Sequence, residues 1–124
     1  MTPRPSRDLV LLVEDDANAA RMLAQLLRED GHDVEVVTDG WVAIARVAQD
    51  PRPDVLIVDY RLPHADGLAV ARAARAHLPA ARSVMVTSYP EVVGGRLHEE
   101  DAQAVLLPKP LSYEDLTRHL AARA

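Results

Sequence analysis

The stretch Leu9-Val10-Leu11-Leu12-Val13-Glu14-Asp15-Asp16 is an apolar run that ends on three consecutive carboxylates. A run apolar at every position, without polar alternation, suits a strand covered on both faces, the condition of strands in parallel sheets. The acids then fall just beyond the carboxyl end of that strand. The pattern returns at Val55-Leu56-Ile57-Val58-Asp59, where one more carboxylate closes an apolar run. Runs at Val34 to Val37, Val84 to Val86 and Ala104 to Leu107 complete a set of five expected strands.

Between these runs the apolar spacing becomes helical. Ala19, Leu23, Leu26 and Leu27 share one face before Gly31 offers a left-handed stop. Trp41, Ile44, Ala45 and Ala48 share a second face that ends near Asp50-Pro51, which assigns Trp41 to the core. Leu68, Ala71 and Leu78 share a third before Pro79. The fourth helical segment, between Tyr89 and Asp101, contains Pro90, Gly94 and Gly95. An interior Gly costs about 1 kcal/mol relative to Ala, so this helix is expected to be short, bent or mobile, or to begin only after Gly95. A fifth starts near Tyr113, with Ser112 as N-cap and Asp115 placed to reach back. Strands separated by helical crossovers pair in parallel, which predicts an α/β sandwich of three layers. The polar stretch 1–8, with Pro3 and Pro5, reads as an N-terminal tail, and 9–124 as one domain.

Composition narrows the function. A chain of 124 residues, 48% hydrophobic, supports one sizeable core and is too short for two ordinary domains. Its net charge of −5 removes the electrostatic footprint of sequence-independent DNA or RNA binding, so no direct nucleic-acid ligand is expected. The absence of cysteine excludes disulfides, thiolate nucleophiles and Cys-based zinc sites, and permits a reducing cytoplasm. No apolar run reaches the length of a signal-peptide core or a membrane span, so a cytoplasmic protein without a membrane partner is expected. His32, His64, His77, His98 and His119 are scattered without a ligand-spaced pair, which argues for surface positions and against zinc.

In an open parallel sheet, ligands bind beyond the carboxyl ends of the strands. Glu14, Asp15, Asp16 and Asp59 converge there, and ionised carboxylates a few Å apart repel by roughly 4 kcal/mol per pair at an effective dielectric near 20. Such a cluster takes up protons or binds a cation. Oxygen donors without His or Cys select a hard ion such as Mg²⁺. Asp16 also suits the first turn of a helix. Thr87 closes the fourth strand, and Lys109 follows the fifth within Leu107-Pro108-Lys109-Pro110. A hydroxyl and an ammonium at the same rim are donors for phosphoryl oxygens, and with a metal and one Asp they are what an aspartyl-phosphate site requires.

These pieces, Leu12 to Asp16, Asp59 with Pro63 and Gly67 behind it, Thr87-Ser88 and Lys109-Pro110, lie each at a strand end in this order. In them the chain resembles the receiver domain of two-component response regulators over nearly its full length. The resemblance implies a flavodoxin-like, doubly wound sheet of five parallel strands in the order 2-1-3-4-5 with five helices. It implies that Asp59 accepts a phosphoryl group from a phosphohistidine of a histidine kinase or histidine phosphotransfer protein. Mg²⁺ would be held by Asp15 directly, Glu14 largely through water, Asp59, and the backbone carbonyl of Arg61. Lys109 would pair with the phosphoryl group and Thr87 would act as a switch. Arg61, Ser88 and Tyr89 would tune the site, with Arg61 and Tyr89 hindering the water that hydrolyses the acyl phosphate. Signalling would pass by contact to a downstream protein, with a homodimer formed through the fourth helix, fifth strand and fifth helix. Pro110 would carry the cis peptide bond common in the family.

Two departures stand out. Leu106 occupies the position where the family usually places a Tyr or Phe switch, and Asp101-Ala102-Gln103-Ala104 replaces the usual Gly-Ala pair before the fifth strand. Two routes of coupling stay open, Leu106 repacking as an aliphatic switch or the glycine-weakened fourth helix, and the sequence does not choose between them. The principal reading is a stand-alone receiver, or a fragment of a longer chain. Its rivals are a Mg²⁺-dependent phosphohydrolase with an Asp nucleophile, which would need a carboxylate where Arg61 stands, and a constitutive adaptor with a vestigial pocket.

Overall fold

The computed structural model describes residues 7–121; residues 1–6, with Pro3 and Pro5 of the expected tail, and residues 122–124 lie outside the described residues. The elements alternate as β1 (Leu9–Val13), α1 (Ala17–Glu29), β2 (Asp33–Val37), α2 (Gly40–Val47), β3 (Val55–Asp59), α3 (Gly67–His77), β4 (Arg82–Thr87), α4 (Pro90–Glu100), β5 (Val105–Pro108) and α5 (Tyr113–Ala121). The strands form one parallel sheet in the order β2-β1-β3-β4-β5.

Because side chains alternate across a strand, each central strand feeds two cores. Leu11, Val13, Leu56, Val58 and Met85 face α2, α3 and α4, where Ala43, Val47, Ala71, Ala74, Val93 and Leu97 meet them. Val10, Leu12, Val55, Ile57, Val84 and Val86 face α1 and α5, against Ala24, Leu27, Leu116 and Leu120. Burial on both faces is why these strands read as unbroken apolar runs. Arg82, at the start of β4, donates to the Leu120 carbonyl of α5 and pairs with Asp8 at 3.0 Å, so both ends of the described chain are pinned to the lower rim of the sheet.

Three helical expectations need correction. In α1 the buried positions are Ala20, Ala24 and Leu27, while Ala19 and Leu26 are exposed. In α2 they are Gly40, Ala43 and Val47; Trp41 is 63% exposed, so it is no core residue. In both helices the apolar surplus outside the buried stripe misplaced the face. The fourth helix does not wait for Gly95: α4 begins at Pro90, which fits the first turn because its missing N–H has no partner there, and runs through both glycines. The fifth strand also starts one residue later than expected, at Val105. Asp16 and Ser112 cap as their chemistry suggests. Asp16 accepts the Asn18 and Ala19 amides at 2.9 and 3.1 Å, and Ser112 Oγ accepts from Asp115 N–H at 3.2 Å.

The glycines separate into required and dispensable positions. A Cβ on Gly40 would lie 1.9 Å from the Ala65 carbonyl oxygen, and one on Gly67 2.6 Å from that of Asp59, both unyielding backbone. Gly95 faces open space. Gly95→Ala is therefore expected to stabilise the protein by about 0.5–1 kcal/mol. Gly40→Ala is expected to destabilise it by about 1–3 kcal/mol through overpacking. Urea midpoints of the two variants, moving in opposite directions from wild type, check this pair.

Candidate functional site

Register alone assembles the rim. Val13 lies beside Val58, so the next residue of each strand puts Glu14 beside Asp59. Asp59 lies beside Val86, which places Thr87 one step further along, and Thr87 pairs with Pro108, so Lys109 follows at the end of β5. Three backbone bonds extend these ladders past the strand ends: Glu14 N–H to Val37 O at 3.0 Å, Tyr60 N–H to Val86 O at 3.0 Å, and Lys109 N–H to Thr87 O at 2.9 Å.

At the centre, Lys109 Nζ donates to Asp59 Oδ2 at 2.9 Å and stands 4.0 Å from Glu14 Oε1. Asp59 is 7% exposed and Thr87 1%. Oxygens of Glu14, Asp15 and Asp59 lie within 4.8 Å of one another, whereas Asp16 turns away to cap α1. Three of the four expected carboxylates therefore form the close cluster. At that separation each ionised pair repels by roughly 3–4 kcal/mol at an effective dielectric near 20. Burial, the Asp59 hydrogen bond and the Asp59 charge push Glu14 up to about 7. Partial burial works against the Lys109 charge, but the hydrogen bond to Asp59 and the charges of Asp59, Glu14 and Asp15 outweigh it, so its pKa is raised. The donor set fits a hard divalent cation: three close carboxylates, no His or Cys, and one Lys to balance them.

The remaining expected residues surround this centre. Thr87 Oγ1 accepts the Tyr89 N–H at 3.0 Å, linking the hydroxyl to the residue before α4. Tyr89 and Ser88 are exposed, and the Arg61 guanidinium lies 4.9 Å above the Tyr89 ring, a cation–π contact that joins the β3–α3 and β4–α4 loops. Leu106 is half-buried one strand away, its Cδ2 3.5 Å from the Cβ position of Gly94 beneath α4. The Lys109–Pro110 bond is cis. A cleft of about 910 Å³ runs from Glu14, Asp59 and Lys109 along α1 past Leu23 and Leu26 to Tyr113. Tyr113 OH donates to Asp30 Oδ2 at 2.6 Å, tying α5 to the end of α1.

One constellation was not anticipated. His64, treated as an isolated surface histidine, pairs with Asp39 and stacks on Trp41. Asp39 and His64 are 25 residues apart, and no local pattern signals their meeting.

The family described as response regulator receiver domain matches residues 10–121, and the chain belongs to that family. It is 34% identical over 117 residues to the DNA-binding response regulator MtrA of Mycobacterium leprae, covering 94% of this chain and 51% of the relative. It is 36% identical to the response regulator MprA of the same organism, covering 91% and 49%. The chain thus spans about half the length of these relatives. Among solved structures, the Vibrio cholerae chemotaxis protein CheY4 superposes with a TM-score of 0.81 at 26% identity, covering 93% of this chain and 97% of that one. A CheY-like receiver domain from Methylobacillus flagellatus gives 0.80 at 26%, with coverage of 93% and 97%. Response regulators belong to two-component signal transduction, and this chain is a receiver domain of that family. No helix among the described residues is long and apolar enough to cross a membrane.

The raised pKa of Glu14 has a sign that can be measured. Folded Glu14 holds its proton up to about 7, against an ordinary 4.5, so between those values the folded state binds more protons than the unfolded. Stability from this group is complete below the lower value and is lost as pH rises through the upper one. In metal-free protein, Glu14→Gln is expected to flatten the decline in melting temperature across this window relative to wild type. Parallel pH profiles for the two proteins would refute the assignment.

Proposed function

We propose that this chain is a phosphoacceptor: Asp59 takes a phosphoryl group from a phosphohistidine on a histidine kinase or histidine phosphotransfer protein, and the domain then signals by conformational change and contact with a downstream protein. The observation that carries this reading is the 2.9 Å contact of Lys109 with Asp59 beside the oxygens of Glu14 and Asp15. An Asp59 oxygen forms the new bond to phosphorus, the P–N bond to the donor imidazole breaks, and the imidazole leaves. Mg²⁺, held by Glu14, Asp15, Asp59 and the backbone carbonyl of Arg61, would neutralise charge on the phosphoryl oxygens. Lys109 keeps its charge and stands where it can follow the Asp59 oxygen onto the phosphoryl group. Thr87 holds a hydroxyl at the same rim, already bonded to the backbone before α4, so a hydroxyl drawn toward a phosphoryl oxygen releases the Tyr89 amide.

The cleft along α1 supports a protein donor, because the apolar side chains Leu23 and Leu26 continue from the acid pocket and offer a docking wall. The rival phosphohydrolase lacks its second carboxylate: two residues after Asp59 stands Arg61, engaged with the Tyr89 ring. A vestigial adaptor is disfavoured by the cost of keeping Asp59 buried against its neighbouring carboxylates without a task. The chain acts on its own side chain and is no turnover enzyme in this reading. Its setting is the cytoplasm, where kinase and target meet. The receiver occupies 9–124 behind a tail at 1–8. The face made by α4, β5 and α5, with Val92 64% exposed, is the surface for self-association.

Incubation with Mg²⁺ and acetyl phosphate is expected to add one phosphate to the intact mass of wild type and none to Asp59→Asn; equal labelling of both would overturn the reading. Once formed, the acyl phosphate is expected to decay slowly, because Arg61 and Tyr89 stack across the approach of water. Arg61→Ala and Tyr89→Ala are each expected to shorten its half-life several-fold, and unchanged rapid decay in both would contradict the gate.

A further inference from the structure

The β3–α3 loop that follows Asp59 is fastened to the start of α2 by an unusual group of three side chains. His64 adopts a left-handed backbone conformation, φ 71°, which non-glycine residues seldom take. Its Nδ1 is hydrogen-bonded to Asp39 Oδ2. Its ring stacks on the indole of Trp41 with centroids 4.7 Å apart and planes 19° from parallel. The other oxygen of Asp39 caps α2, accepting the Trp41 and Val42 amides at 2.8 and 3.2 Å. Around this group the two backbones touch. Gly40 N–H donates to Pro63 O at 3.1 Å, Ala65 N–H to the same oxygen at 2.8 Å, and the Ala65 carbonyl fills the space a Gly40 Cβ would need. Each carboxylate oxygen of Asp39 thus has a separate task, one holding its own helix and the other holding the neighbouring loop.

We propose that His64 is a positioning residue that locks the β3–α3 loop onto α2 through Asp39 and Trp41. The Asp39 hydrogen bond holds the edge of the ring and the Trp41 stack holds its face, so the two contacts fix the same side chain from different directions. Asp39 is suited to the pairing. Its hydrogen bond with His64 holds its carboxyl below the usual range against a smaller opposing effect of burial, with the Val42 and Trp41 amides adding to the shift. The charged groups on the surrounding elements are otherwise engaged. On the loop itself, Arg61 lies on Tyr89 and Asp66 caps α3 through the Ala69 amide, while on α2 Arg46 is held by Glu35 and the carbonyls of Gln49 and Pro51. The consequence rests on the receiver reading: the loop carries Arg61, so the lock would hold its backbone carbonyl at the pocket.

Trp41 is the single tryptophan, so its emission reports this group alone. His64→Asn tolerates a left-handed backbone and, by removing the stacked imidazole, is expected to change the Trp41 emission. Asp39→Asn preserves the helix cap and is expected to change the emission in the same sense by releasing the ring. Amide-exchange protection of Gly40 and Ala65, compared at pH 6, is expected to fall several-fold in His64→Asn, with the β1 and β3 amides unchanged. Unaltered emission in both variants, or unaltered protection at Gly40 and Ala65, would overturn the proposal. Neither readout involves phosphoryl transfer, so failure of Asp59 to accept phosphate would defeat the receiver reading and leave this inference intact.

Discussion

Parallel pairing of β1 with β3, Val13 beside Val58, is the constraint from which the chemistry of this domain descends. A slip of one residue would turn Leu11 and Val13 from one core to the other and carry Glu14 out of step with Asp59. The fully buried side chains of β1 and β3 prevent that slip, since each would exchange a fitted neighbour for a mismatch. Hydrophobic packing therefore sets the spacing of the acids. It does so at a real electrostatic cost, because three carboxylates at the rim destabilise one another and, among the described residues, Lys109 is the cation that offsets them directly. A site of this kind is poised for a cation by its surroundings as much as by its ligands.

The architecture was open to sequence reasoning because fully buried parallel strands have a one-dimensional signature. Val55 to Val58 cannot be much else when Asp59 closes the run and a helical pattern follows. The residues at the strand ends were legible for the same reason, since strand ends are where such a sheet binds. The faces of α1 and α2 were less accessible. With Met22, Leu26, Trp41 and Val42 all substantially exposed, both helices carry more apolar side chains than their buried stripes need, so periodicity alone selects the wrong neighbours. The reach of α4 was hidden differently. Propensity disfavours Gly94 and Gly95, but Val93 and Leu97 are buried on either side of them, and that packing carries the helix through. The Asp39, His64 and Trp41 group was invisible because it joins two loops across the top of the sheet, and its only local trace, a left-handed histidine, has no sequence code.

Physical coupling from the pocket outward is steered by where the fold is weakest. The start of α4 has no side-chain cap, since Tyr89 occupies the N-cap position without a hydrogen bond from its side chain, and a missing cap forgoes about 1 kcal/mol. Gly94 and Gly95 follow within the next two turns, each weakening the helix by about as much again. The far end is held: Arg72 on α3 grips Glu100 with two bonds of 2.9 and 2.7 Å, and Asp101 closes the helix through Leu97 O. The first turn of α4 is also the part tied to Thr87, through the Tyr89 amide, and to Arg61, through the Tyr89 ring. A change at Thr87 thus meets little resistance in the first turns of α4 and much more near Glu100, so a rearrangement would open between Tyr89 and Gly95 rather than shift the helix as a rod. Leu106 lies under Gly94, its Cδ2 3.5 Å from that Cβ position, so the weakest stretch of α4 rests on an aliphatic side chain of β5.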